Sequence, residues 1–149
     1  MENLLGTSIV CQIGILCNDI VATAEAYKQV LGADYTVSET APYEQSHTTF
    51  NGAPTPARIK QAFFDVGPNI NIELIEPDHN PSAWRSYLDE HGESVHHIAF
   101  WVKDMNGVIS RLGEIGMPMV QRGEWDTGCY AYIDSQPQLK TVIELLANK

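Results

Sequence analysis

Internal repetition constrains this chain more than any other feature. QIGILCNDI at residues 12–20 and HIAFWVKDM at residues 97–105 each set a polar residue at the head of an apolar, strand-like run, and each reach an Asp seven residues later. Beyond each Asp a helical spacing takes over: Ile20, Ala24, Tyr27 and Leu31 in the first copy, Met105, Val108, Leu112 and Ile115 in the second. Asp19 and Asp104 can accept the orphan N–H groups of a first helical turn, and Gly32 and Gly116 can take the left-handed conformation that ends a helix. Each copy then closes alike, with Ile72-Glu73-Leu74-Ile75 and Ile143-Glu144-Leu145-Leu146. Further β-rich runs lie between, at residues 59–66 and 130–133. Each half therefore reads as strand, helix and about three strands. This predicts an α+β fold of two βαβββ modules, residues 1–79 and 93–149, in one compact domain over residues 1–149. A short helix is expected in the linker, residues 80–92, with Asn80 as its cap, Pro81 in its first position and Trp84, Tyr87 and Leu88 on its apolar face. Residues 51–56, rich in Gly and Pro, read as a loop.

Strand alternation decides which side chains share a face. In the opening strand Cys11, Ile13 and Ile15 form one face, suited to packing on the helix, and Gln12, Gly14 and Leu16 form the other. Gln12 is thus expected on the concave side of the sheet. The same reasoning places His97 there, with His96 turned away. Glu73 and Glu144 each sit inside an apolar closing strand, where an ionised carboxylate is costly unless it is paired or bound to a metal. If the two modules pair about a pseudo-twofold axis, Gln12, Glu73, His97 and Glu144 converge. Three oxygen donors and one imidazole suit a divalent ion such as Zn, Co, Ni, Mn or Mg better than a thiolate-loving one.

Charge and cysteine usage narrow the partners. Nine basic residues against nineteen acidic ones give a net charge of −10 and leave no basic stripe for nucleic acid. The same balance disfavours polyanionic ligands. The first residues carry no basic, then apolar, leader pattern, and no apolar run reaches membrane length, so neither a signal peptide nor a membrane partner is expected. Cys11, Cys17 and Cys129 are odd in number and lack CxxC spacing; they read as small buried hydrophobes in a reducing cytoplasm.

On these residues the chain resembles, over nearly its whole length, the vicinal-oxygen-chelate superfamily of glyoxalases, bleomycin-resistance proteins and dioxygenases. The resemblance implies that each module curls into half of a cupped half-barrel. It also implies that metal ligands come from the first and last strands of each module, the places of Gln12, Glu73, His97 and Glu144. Around Val95-His96-His97-Ile98-Ala99, residues 84–92 and residues 140–145 the chain is similar to methylmalonyl-CoA epimerases. Those enzymes usually carry His at the place of Gln12 and Gln at that of Glu73, and a second catalytic Glu near that of Gln61. The Gln/Glu/His/Glu set itself resembles glyoxalase I (lactoylglutathione lyase). The arginines with which that enzyme grips glutathione would fall at Leu16 and Glu93, however, and its turn before the last strand is replaced by Asp134-Ser-Gln-Pro-Gln. Extradiol dioxygenases use two His for iron, and only His97 stands at a ligand position.

The resemblance implies an isomerase, epimerase or lyase acting on a small carbonyl or thioester substrate. Glu144 would be the base and Glu73 the group that returns the proton. The substrate pocket is expected to draw on residues 42–56, on Gln61 and Phe63, and on residues 123–132. In that last segment Trp125 would act as a lid or a dimer contact, and Tyr130, like His47, could line the cup. A homodimer is expected by analogy alone. The non-enzyme alternative is a metal-free protein that sequesters a small molecule or antibiotic.

Overall fold

The computed structural model describes residues 1–149. Strand β1 (Gln12–Leu16) runs through Asp19 into helix α1 (Ile20–Leu31). There follow β2 (Ser38–Glu39), a single turn α2 (Tyr43–Ser46), β3 (Thr49–Phe50), β4 (Ala53–Pro54), β5 (Ile59–Asp65) and β6 (Asn71–Pro77). Helix α3 (Ala83–His91) leads to β7 (Ser94–Trp101), α4 (Met105–Glu114), β8 (Met119–Trp125), β9 (Gly128–Ile133), a short α5 (Gln136–Leu139) and β10 (Val142–Asn148). Both repeat helices start and stop as expected. Asp19 accepts the Ala22 N–H and Asp104 the Gly107 N–H, each at 3.0 Å. Gly32 is left-handed at φ 65°, and Gly116, at φ 85°, directly follows the last α4 turn.

All ten strands join one mixed sheet in the order β2-β5-β6-β1-β7-β10-β9-β8-β3-β4, curled into a half-barrel. The run β2-β5-β6-β1 is mirrored by β8-β9-β10-β7, and β1 and β7 meet antiparallel at the centre. The register repeats as well. β1 lies parallel to β6 with Gly14 opposite Glu73, and β7 lies parallel to β10 with Ala99 opposite Glu144. In each half the acid therefore sits beside the residue two beyond the strand's polar residue.

Strand alternation then assigns the two faces of the cup. On the convex side Ile20 and Ala24 of α1 pack with Ala62, Phe64 and Leu74, and Val108 and Leu112 of α4 pack with Ala131, Ile133 and Leu145. Each buried Ile, Leu, Val or Phe among these contributes about 1.5–3 kcal/mol. On the concave side α3 plugs one end of the cup: Trp84 and Leu88 pack against Leu16, Ile75 and Tyr132. The rest of the cup interior is left to polar residues and aromatic rings.

Several expectations are corrected. The linker helix is capped by Ser82, whose Oγ accepts the Arg85 N–H at 2.9 Å, because the Asn80 side chain is taken up by Asp78. Residues 51–54 are not a plain loop. Asn51 and Gly52, both at positive φ, turn a tight hairpin whose β3 pairs with β8 of the other module. Cys11 precedes β1 and packs with Ala99 and Leu146, not with α1. All three cysteines are free and buried, and no helix is long and apolar enough to cross a membrane. Removing the cap hydroxyl in Ser82→Ala should lower stability by about 1 kcal/mol. Asn80→Ala should change it by less than about 0.5 kcal/mol; urea titrations of both variants would compare them.

Candidate metal centre

Four adjacent strands, β6, β1, β7 and β10, bring Glu73, Gln12, His97 and Glu144 together in the cup. Their exposures are 6, 7, 0 and 4 %, so none is a solvated edge residue. His97 Nε2 lies 3.0 Å from Glu144 Oε2 and 3.7 Å from Glu73 Oε2. The inward atom of the Gln12 amide lies 2.8 Å from Glu73 Oε2, 2.9 Å from Glu144 Oε2 and 3.1 Å from His97 Nε2. Donors around an ion with bonds of about 2.0–2.2 Å stand about 3 Å apart when at right angles. The observed separations fit such an ion.

The Gln12 amide has two possible orientations in the cluster. With its oxygen inward, Gln12 donates its NH₂ to Asn71 Oδ1 at 3.1 Å and turns its oxygen towards two carboxylates. With its nitrogen inward it would donate to both carboxylates instead. Glu73, His97 and Glu144 alone meet the spacing of a three-residue ligand set.

Two local features let the imidazole reach the centre. Ile15 pairs with Val95 but Gly14 pairs with His97, so His96 is an extra residue in β7, a β-bulge. The bulge brings both imidazoles into contact inside the molecule, with His96 Nδ1 3.0 Å from His97 Nδ1, which overturns the expectation that His96 faces away. Gly14 supplies the space, since a Cβ there would lie 2.0 Å from His97 Cε1.

Burial dominates the electrostatics. It pushes the Glu144 carboxyl up to about 8, with Tyr132 acting in the other direction, and it raises Glu73 well above the usual range with the help of the nearby Glu144 charge. It holds His97 down to about 3 and His96 well below its ordinary value. A cation at the centre would supply the charge that two ionised carboxylates need.

Above the cluster lies a cavity of about 450 Å³. Of the expected pocket residues, Gln61 and Phe63 of β5, Trp125 of β8 and Tyr130 of β9 all line it, as do Ser46 and Thr48 from the segment 42–56. His47 does not; it reaches Glu124 Oε2 at 2.7 Å instead. Tyr132, at the end of the expected segment 123–132, lines it too; sequence reading missed Glu39, Trp84 and Trp101, which also line the cavity. One of these carried a usable signal: Trp101 follows His97 at even strand spacing. Trp125 stands edge-on to Trp101 at 6.4 Å on the rim.

The family model of the glyoxalase/bleomycin resistance protein/dioxygenase superfamily matches residues 11–132. The chain belongs to this superfamily. It is 27 % identical over 121 residues to the ethylmalonyl-CoA/methylmalonyl-CoA epimerase of Cereibacter sphaeroides, spanning 79 % of this chain and 78 % of the relative. Among solved structures, methylmalonyl-CoA epimerase from Mycobacterium tuberculosis superposes with a TM-score of 0.67 at 22 % identity, over 100 % of this chain and 92 % of that one. A Streptomyces coelicolor methylmalonyl-CoA epimerase in complex with 2-nitronate-propionyl-CoA gives 0.64 at 22 % identity, over 94 % of each chain. At such identity the structural likeness speaks for the fold.

The carboxyl shifts make stability depend on pH. In metal-stripped protein Glu144 releases its proton near pH 8 when folded and near 4.5 when unfolded, so its contribution is complete below 4.5 and lost as pH rises through 8. His97 acts in the opposite sense, but only below its unfolded value of 6.5. Between pH 6.5 and 8 the carboxyl acts without the histidines. Denaturant titrations of the stripped protein should show stability falling by about 1–2 kcal/mol across that window, with a smaller fall in Glu144→Gln.

Proposed function

We propose that this protein is a divalent-metal-dependent isomerase or epimerase that moves a proton next to the carbonyl of a small carbonyl or thioester substrate. The observation that carries this reading is the convergence of Gln12, Glu73, His97 and Glu144 on the floor of a cavity large enough for a small acyl group. A bound divalent ion would polarise the carbonyl and stabilise the negative charge that develops on its oxygen.

The chain's own residues then divide the work. Glu144, whose carboxyl opens to the cavity, takes the proton from carbon. Glu73, across the cluster, returns it. Transfer of this kind typically contributes about 10²–10⁴-fold. Gln61 faces the same space, but an amide can only hydrogen-bond and cannot accept that proton. The Tyr130 hydroxyl accepts from Gln121 Nε2 at 3.0 Å, which leaves its own proton for a substrate oxygen. The aromatic walls keep water away and so strengthen each of these interactions.

The walls also bear on the substrate. Glu39, Glu73, Glu124 and Glu144 line the cavity, and no Lys or Arg does. A second carboxylate on the acyl group would meet no cationic side chain, so the walls favour a neutral acyl end. The relatives named as acyl-CoA epimerases support a thioester as its carrier. A glutathione adduct is disfavoured: Leu16 is wholly buried, and Glu93 Oε1 accepts the Asn18 N–H. The aromatic walls would also suit a metal-free sequestering protein, but such a cup gains nothing from two buried carboxylates at its floor.

Elemental analysis of the untagged protein should find about one divalent ion per chain, lost in the Glu73→Ala/Glu144→Ala double variant. Exchange of the α-proton of a simple acyl thioester for solvent deuterium, followed by NMR, should fall at least ~100-fold in Glu144→Gln, with little change in melting temperature. Full exchange in that variant would remove Glu144 as the base. Sedimentation of the same preparation tests the homodimer expected by analogy.

A further inference from the structure

The contact between His96 and His97 requires a particular placement of one proton. Their Nδ1 atoms stand 3.0 Å apart, and both rings are buried, at 1 and 0 % exposure. Two protons would face each other across that gap if both atoms were protonated, and two lone pairs if neither were. One nitrogen must donate and the other accept. His97 Nε2 faces Gln12, Glu73 and Glu144. To offer a lone pair there, His97 must carry its proton on Nδ1.

We propose that His96 is a positioning residue: its Nδ1 accepts the His97 Nδ1 proton and so holds His97 in the tautomer, and at the ring angle, that presents Nε2 to the centre of the cluster. The inference rests on the metal-centre reading. His96 can act this way because its own ring is gripped. Tyr87 of α3 packs edge-on at 4.9 Å and Tyr132 of β9 at 5.0 Å, so the linker helix braces the acceptor that aims the ligand. The bulge makes the contact possible, since regular pleating would send the two imidazoles to opposite faces. In the competing arrangement His96 Nδ1 donates, and His97 Nε2–H donates to Glu144 Oε2 at 3.0 Å, which blocks the lone pair.

The experiment pairs a tautomer measurement with Zn(II) titration. In ¹⁵N-histidine-labelled, metal-stripped protein, the shared proton should be bonded to His97 Nδ1, with a coupling across the N–H···N bridge to His96 Nδ1. His96→Phe removes the acceptor and should weaken Zn(II) binding by about 10–100-fold. His96→Asn, which can place an amide oxygen near the site of Nδ1, should restore most of it. A proton found on His96 Nδ1, or Zn(II) affinity in His96→Phe within about threefold of wild type, would overturn the proposal. If His96→Phe does not fold, the tautomer in the unmodified protein and the affinity of His96→Asn still decide it. Absence of Zn(II) binding in the unmodified protein would defeat the metal reading itself, while the tautomer measurement would still report on His96.

Discussion

Two carboxylates, an amide and an imidazole removed from water within about one another's reach form an arrangement that a protein interior does not tolerate without compensation. Much of the architecture keeps that arrangement in place. The four side chains come from four neighbouring strands, and the repeated register puts Glu73 beside Gly14 and Glu144 beside Ala99. Small residues at both positions keep the centre open, and at Gly14 a single methyl group would occupy the space of the His97 ring. Helix α3 closes one end of the cup with Trp84 and Leu88, so the cluster lies between an apolar plug and an aromatic mouth.

The cavity and its floor make different demands on a ligand. The walls offer rings, hydroxyls, amides and the carboxylates of Glu39 and Glu124. The floor offers a charge-balanced place for oxygen atoms once a cation is held there. No lysine or arginine stands among the walls to balance an anionic ligand.

Much of this was legible in the sequence because it is written locally. Asp19, Gly32 and Asp104 announce helix ends through their own side chains or backbone freedom, and a Glu inside Ile-Glu-Leu announces itself against its neighbours. The convergence of Gln12, Glu73, His97 and Glu144 followed from applying the repeat twice. Features set by distant partners were hidden. Whether Asn80 or Ser82 caps α3 depends on Asp78 capturing the former and on the Gln121 side chain accepting the Ala83 N–H. The inward turn of His96 depends on which residue of β1 stands opposite it, and strict alternation along one strand cannot express that. The β3–β4 hairpin shows itself as Gly- and Pro-rich sequence, but its pairing with β8 comes only from the curl of the whole sheet.

That hairpin also finishes the sheet. Its β3 covers the outer edge of β8 at Gln121 and Arg122, and the outermost strand is then β4, two residues long and ending in Pro54, which has no N–H to offer. The opposite margin, β2, is equally short and ends in Glu39. The outermost strand at each margin is thus too short to template strand addition, and the sheet edge is interrupted where β2 and β3 cover β5 and β8.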